Sequence, residues 1–396
     1  MIPEILARLV AFPTVSRQSN LALLDYVEDL LRPEGVRLER YLSEDGSRAN
    51  LWASTGPAIP GGVVLSGHCD VVPVEGQDWS RDPFALHAEG GKLYGRGTAD
   101  MKGFLAVAIH ALLRAASRPL RLPLHLAISY DEEIGCLGVR GMLEARGDHP
   151  ERPSLCLIGE PTGMRIAVGH KGKRALRACC FGQEGHSALA PDALNALHLG
   201  AAFIDRLQAR QDQLRQSGAR DDAYDIPYST IHVGVMQGGT ALNIVPNRCD
   251  MQFELRNIAA DDPQAILAGL HDDAEAIAAP YRDRFPDARI EIEELSGYPG
   301  LDTAADHPAA ALLQSLLGQS EPAIKVAFGT EAGLFHRAFR VPTLVCGPGH
   351  MAQGHRPDEF VSEDQLAECD RFLSALTDIL EHENSAATLT ANWPRA

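Results

Sequence analysis

The 396-residue chain contains no Cys-x-x-Cys pair; its eight cysteines are scattered at positions 69, 136, 156, 179, 180, 249, 346 and 369. That scatter excludes a disulfide framework and a thiolate zinc site, and it fits a reducing compartment. Any metal bound here has to be held by His, Asp and Glu. Positive charge is scarce as well: 36 Lys and Arg stand against 53 Asp and Glu, for a net charge of -17. Nucleic acid is excluded as a partner on this ground, because phosphate binding needs a basic patch. Long apolar runs are missing too. None approaches the roughly 20 residues of a membrane span, and Met1-Ile2-Pro3-Glu4 does not open a basic segment leading into an apolar stretch. A membrane partner and a secretory signal are therefore not expected, and the cytoplasm is the expected location.

What is present is ordinary soluble-protein composition, with 45% hydrophobic and 22% charged residues. A chain of this length predicts two domains rather than one core. Residues 3–33 carry apolar positions at helical spacing, ended by Pro33 and Gly35. Val63-Val64-Leu65-Ser66-Gly67, Pro123 to Ser129 and Ser154 to Ile158 read as buried strands, and Met101 to Ala116 as a helix that Asp100 can cap. Strands alternating with helices predict an α/β fold with a mixed, mostly parallel sheet.

The pattern changes near Lys173. From there the sequence reads strand (174–182), helix (191–210), a polar loop from Gln211 to Asp225, strand (229–237), strand (247–256), helix (262–278) and strand (288–295). Strand-helix-strand-strand-helix-strand is the ferredoxin-like order. After Ser296-Gly297 the α/β character returns, with a helix near 306–318, a strand at 341–346, a helix from 362 to 382 and a frayed tail from Asn384. The expected organisation is a catalytic domain of residues 1–173 and 297–396 with an inserted domain of residues 174–296.

The residues with chemistry recur where strands end. His68 and Asp70 follow the strand 63–67, Glu132 and Glu133 follow 124–129, and Glu160 follows 155–158, while Asp100 precedes a helix. Open α/β sheets place their sites outside the carboxyl ends of parallel strands. A lone acid there is usually a cap or a solvated loop residue; repetition at successive strand ends is what points to a site. Imidazole and carboxylate ligands suit Zn, Mn or Co. A pair of such ions needs a bridging carboxylate and a free carboxylate to take a proton from water, and adjacent Glu132 and Glu133 offer both a ligand and a base. Asp70, two residues after His68, is placed to accept from that imidazole's other nitrogen.

Several motifs occur in one order along nearly the whole chain. They are Ser66-Gly67-His68-Cys69-Asp70, Gly95-Arg96-Gly97-Thr98-Ala99-Asp100-Met101-Lys102-Gly103, Tyr130-Asp131-Glu132-Glu133-Ile134-Gly135 and Ile158-Gly159-Glu160-Pro161-Thr162, followed by Gly185-His186-Ser187, Thr240 to Pro246, Phe328-Gly329-Thr330-Glu331-Ala332-Gly333 and Gly347 to His355. This ordered set resembles the M20 family of metallopeptidases and deacylases. The resemblance implies a zinc-exopeptidase-like catalytic domain with the inserted domain as a lid that also forms a homodimer. It implies two Zn2+ per chain, replaceable by Co2+, and hydrolysis of a linear amide in a small N-acyl amino acid. Asp100 would bridge both ions, with Glu133 and His355 on one, His68 and Glu160 on the other, Glu132 as general base and Asp70 orienting His68. The peptide after Asp100 would be cis. His186 would reach across the dimer to the oxyanion, and Asn243 and Arg256 would contact substrate, Arg256 donating to the substrate's α-carboxylate.

His87, His110, His125, His198 and His232 read as satisfied or exposed side chains, and His170, at the domain junction, as either a hinge or a catalytic residue. His350 competes with His355, which is preferred because the family's ligand stands just before Pro357-Asp358-Glu359-Phe360. The segments between ligands look like the family branch that removes an acetyl group from a basic amino acid. A desolvated amine needs a carboxylate partner, and Glu331, in its glycine-flanked loop, is the candidate. A succinyl-group hydrolase, a broad acyl-amino-acid hydrolase, a dipeptidase and a silent binding protein on the same fold are the alternatives; the last would lack a ligand or the base, and none is missing.

Overall fold

The computed structural model describes residues 1–382 and Leu389, so the expected frayed tail from Asn384 falls outside the described residues, Leu389 apart. The chain separates into two compact units, one of Met1–His170, Leu301–Val326 and Thr330 onward, the other of Lys171–Gly300 with Ala327–Gly329.

The first unit is built on a nine-stranded sheet. Its order is Arg37–Leu42, Ala49–Thr55, Leu124–Ser129, Val63–His68, Leu155–Ile158, Thr343–Val345, Ala167–His170 and Leu301–Asp302, with Ile324–Val326 pairing parallel to Ala167–His170. The four middle strands from Leu124–Ser129 to Thr343–Val345 run parallel, and antiparallel pairs lie toward both edges. Every residue of Val63–His68, Leu124–Ser129 and Leu155–Ile158 is buried. That explains why they read as continuous apolar runs: helices cover both faces, so neither face needs polar alternation. Parallel strands all end on the same side, and the loops carrying His68, Glu132, Glu160 and His355 all leave from those ends.

Three local expectations need correction. The apolar stretch 3–33 folds as two helices, Ile2–Val10 and Leu21–Leu31. Pro13 lacks an N–H and disfavours helix at the residue before it; the segment after it instead bridges Val15 to Val71, with the Thr14 hydroxyl donating to the Cys69 carbonyl at 2.5 Å. Asp100 does not cap the helix Lys102–Ala116, which has no side-chain cap, because its carboxylate faces two imidazoles instead. The expected helix 191–210 and polar loop 211–225 divide elsewhere. Asn195 caps the helix Ala196–Ser217, which therefore takes in the first half of the supposed loop. Its buried positions stop at Leu207, so the last turns are polar because they are solvated.

The second unit has a four-stranded antiparallel sheet in the order Thr230–Gly238, Arg248–Asn257, Gly172–Phe181, Arg289–Tyr298, with the helices Ala196–Ser217 and Pro263–Ala278 packed on it. Numbering the four strands along the chain gives 2-3-1-4, the ferredoxin-like arrangement. Phe203, Leu207, Leu267 and Leu270 meet Leu176, Met251 and Phe253 in its core. Among the described residues, no helix is long and apolar enough to cross a membrane.

Candidate metal centre

Asp100 lies in the loop between Lys92–Tyr94 and the helix Lys102–Ala116, and the Asp100–Met101 peptide is cis. Its two carboxylate oxygens face different histidines: Oδ1 is 3.1 Å from His68 Nε2 and Oδ2 is 3.3 Å from His355 Nε2. His355 Nε2 is also 3.0 Å from Glu133 Oε2, and His68 Nε2 is 3.9 Å from Glu160 Oε1. One carboxylate thus joins two groups of donors.

The orientation of His68 is set by its other nitrogen. Nδ1 donates to the Asp70 backbone carbonyl at 2.8 Å, whereas the Asp70 carboxylate is 3.6 Å away. The expected role of Asp70 is therefore carried by its main chain. A carbonyl only accepts, so Nδ1 carries a proton; once Nε2 is deprotonated, its lone pair is the one offered to a cation beside Asp100 and Glu160. The Asp70 side chain does something else. It accepts from the Glu132 and Glu133 backbone amides at 3.0 and 3.3 Å and from the Ser16 hydroxyl at 2.7 Å, which pins the loop bearing both glutamates. Asp131 and Cys136 bracket that loop in the left-handed conformation, with φ of 53° at both. Asp131 is itself tied to Arg48 and to the Arg17 amide, and the Cys136 thiol donates to Glu132 Oε1 at 3.3 Å.

The electrostatics follow from crowding acids in a buried space. Burial pushes Glu160 and Glu132 well above the usual carboxyl range, with neighbouring acids adding to it. Burial and then Asp100 bring Glu133 up to about 7. The hydrogen bonds to Asp100 and Glu133 raise His355 to about 10; burial works to lower His68, but the Asp100 contact and the charges of Glu160, Glu132 and Asp70 together raise it well above the usual imidazole value. Asp100, although buried, is held below the ordinary range by the two histidines. Four carboxylates whose lone pairs converge with two imidazole nitrogens are a donor set for cations. Ligand atoms of His68, Glu132 and Glu160, and of His68, Asp100 and Glu133, lie close enough together to hold an ion. Of these, the partition by Asp100 is the better guide to two sites, because Glu132 is turned to the Cys136 thiol and His355 completes the second group.

All five residues read as metal ligands, His68, Asp100, Glu133, Glu160 and His355, are brought together with Glu132. His350 is not among them; its ring faces Gln365 Nε2 at 3.1 Å. His170 accepts the Gly333 amide at 3.3 Å, and His125 is a buried core residue paired with Ser54. Glu331 is buried at the start of the helix Ala332–Phe339, and its charge reaches Glu132. Among the described residues neither of its oxygens has a partner at full hydrogen-bond geometry. His186, Asn243 and Arg256 belong to the other unit. There His186 is exposed, accepts the Ala188 amide at 3.0 Å, and sits beside Asn243, whose carbonyl accepts from Ser187 at 3.1 Å. Arg256 lies on the strand Arg248–Asn257, its Nε donating to Glu254 at 2.8 Å. Sequence reasoning passed over Ser16, Arg48, Cys136 and Glu359, because their importance lies in what they hold; no spacing rule marks it.

Residues 64–378 match the family described as Peptidase family M20/M25/M40. The chain is 35% identical over 366 residues to the acetylornithine deacetylase of Proteus mirabilis, covering 90% of this chain and 91% of that one. Its fold is similar to an M20 family metallo-carboxypeptidase from Sulfolobus solfataricus, with a TM-score of 0.76, 18% identity and coverage of 96% and 99% of the two chains. A dinuclear metal-binding M20 peptidase from Bacillus subtilis is similar at a TM-score of 0.70, with 17% identity over 96% of this chain and 98% of that one.

Proposed function

The chain belongs to peptidase family M20/M25/M40 and is an amide hydrolase of that family; from this we propose that it is a cytoplasmic two-zinc deacetylase that converts N2-acetyl-L-ornithine to L-ornithine and acetate, a step of arginine biosynthesis. The observation that carries the two-metal part is Asp100, whose oxygens address separate histidines. His68 and Glu160 would hold one ion and Glu133 and His355 the other, with Asp100 shared. Bound there, the ions would supply Lewis acidity to the amide carbonyl and to water, and Co2+ would serve in place of Zn2+.

The chain's own groups then act as follows. Glu132 takes the proton of the attacking water and passes it to the amine nitrogen as the C–N bond breaks. Burial makes it a strong enough base for this, and the Asp70–amide contacts keep it in place. The general base Glu132 is thereby one position in the chain from the ligand Glu133. We take the Lys171–Gly300 unit as a lid and dimerisation element, so that His186 stabilises the oxyanion of the partner's site, while Asn243 and Arg256 bind the substrate and its α-carboxylate.

The choice of substrate is supported by the deacetylase relatives at 33–35% identity and by Glu331, a buried carboxylate whose oxygens are unsatisfied among the described residues and which a δ-ammonium would neutralise. The test is kcat/KM of zinc-loaded protein on N2-acetyl-ornithine, N-succinyl-diaminopimelate, acetyl-methionine and a dipeptide. A clear preference for acetyl-ornithine is expected. A flat profile, or preference for another compound, removes the substrate and pathway assignment and leaves the amide hydrolase.

A further inference from the structure

We propose that Glu359, acting with Arg96 and Gln77, is a positioning residue that holds the bridging Asp100 and the loop ligand His355 in register with each other. The inference rests on the metal-centre reading above and concerns what fixes the ligands.

Glu359 stands just before the strand Phe360–Ser362, which pairs antiparallel with Lys92–Tyr94. This ladder brings Glu359 against the loop that follows Tyr94, and the Gly95 amide donates to its carbonyl at 2.9 Å. Its side chain, 1% exposed, then accepts four hydrogen bonds. Oε2 takes Gly97 N at 3.0 Å and an Arg96 guanidinium N–H at 2.8 Å. Oε1 takes Ala99 N at 2.9 Å and Asp100 N at 3.1 Å. The loop from Gly95 to Asp100 is wound round one carboxylate. Both lone pairs of both oxygens are used, so the backbone of the bridging residue has one position.

Arg96 extends the link. It is also 1% exposed, lies over the Trp79 ring at 4.9 Å, and donates to the Arg356 carbonyl at 3.3 Å and to Gln77 Oε1. Gln77 Nε2 in turn donates to the His355 carbonyl at 2.9 Å. An unbroken path therefore runs from Asp100 N through Glu359, Arg96 and Gln77 to His355 O. His355 needs such a tether more than any other ligand: its side chain is 49% exposed, and it stands on a loop at a φ of 60°. The other histidine, His68, ends a buried strand and is fixed by packing.

Substitution Glu359→Gln puts an NH2 opposite N–H donors whichever way the amide turns, so two of the four bonds are lost. Outer partners of metal ligands are generally worth about 10- to 100-fold in metal affinity or activity. Zn2+ titration of metal-stripped wild type, Glu359→Gln and Gln77→Ala, followed by kinetics of the loaded proteins, tests the proposal. Glu359→Gln is expected to weaken both zinc sites about 10- to 100-fold and to lower kcat with KM unchanged. Gln77→Ala, at a half-buried position, is expected to weaken only the site containing His355. Wild-type affinity for both ions in either folded variant, with only the melting temperature lowered, overturns the proposal. If Glu359→Gln does not fold, Gln77→Ala decides alone by the same criterion. Wild-type protein that takes up no zinc refutes the metal-centre reading, and this inference with it; two bound ions alongside unaltered variants refute this inference only.

Discussion

Replacing Glu331 by Gln separates stability from function at the centre of this molecule. Glu331 is 1% exposed, and among the described residues neither carboxylate oxygen has a partner at full hydrogen-bond geometry, the Ser129 hydroxyl being its polar neighbour. Burial raises it from 4.5 to about 7, with Ser129 and His68 opposing. A carboxyl with a raised folded pKa contributes its stability below 4.5 and loses it as pH climbs through about 7. At about 1.4 kcal/mol per tenfold change in protonation, ionised Glu331 costs the folded state about 3 kcal/mol above that pH. Gln has the shape of the protonated acid and no charge to bury. Metal-stripped Glu331→Gln is therefore expected to match wild type near pH 4.5 and to exceed it by about 3 kcal/mol at pH 8, a rise in Tm on the order of 5 °C. Calorimetric melting of both proteins across pH 4.5 to 8 reads this directly. The same substitution in zinc-loaded enzyme is expected to raise KM for acetyl-ornithine and leave acetyl-methionine nearly unaffected. A gain in Tm that does not depend on pH refutes the electrostatic reasoning. An equal KM effect on both substrates refutes the assignment of Glu331 to a cationic side chain.

Glu132→Ala is expected to lower kcat by roughly 100- to 10,000-fold while two metal ions per chain remain by elemental analysis; loss of an ion instead means that Glu132 and Glu133 have exchanged roles. Mixing inactive His186→Ala and Glu132→Ala proteins is expected to restore part of the activity once subunits exchange, since half of the mixed sites would be intact, and no recovery despite proven exchange places His186 in its own chain's site. His125 gives a pH prediction away from the site. Burial, then the Arg146 and Arg37 charges, lowers it from 6.5 to about 3, so its contribution is complete above 6.5 and lost as pH falls toward 3. His125→Asn is expected to flatten the stability profile by about 1.4 kcal/mol per pH unit across that window, as read from urea midpoints; an unchanged slope excludes His125 as the titrating group.

Much of the fold was legible because burial writes itself into sequence. Val63–Leu65 and Leu155–Ile158 are apolar throughout because both faces of the sheet are covered. Reading failed where a side chain had two possible employers. Asp100 precedes a helix and looks like its cap, yet its carboxylate is claimed by His68 and His355. Asp70 looks like a histidine-orienting carboxylate, yet the carbonyl does that and the carboxylate holds the Glu132 loop. The polar end of Ala196–Ser217 looks like a loop because a solvated helix and a loop have the same composition.

What the sequence determined by itself is the order of the elements, the chemical identity of the ligands and their places at strand ends, since these depend on residue type and on spacing along one strand. Which ligands meet was decided by tertiary structure. Asp100 and His355 are 255 positions apart in the chain, and their 3.3 Å approach depends on parallel strands ending together and on a short ladder that sets Glu359 against the Gly95–Asp100 loop. Hydrogen-bond partners at that separation leave no periodicity to read, because their distance is fixed by packing and not by the length of chain between them.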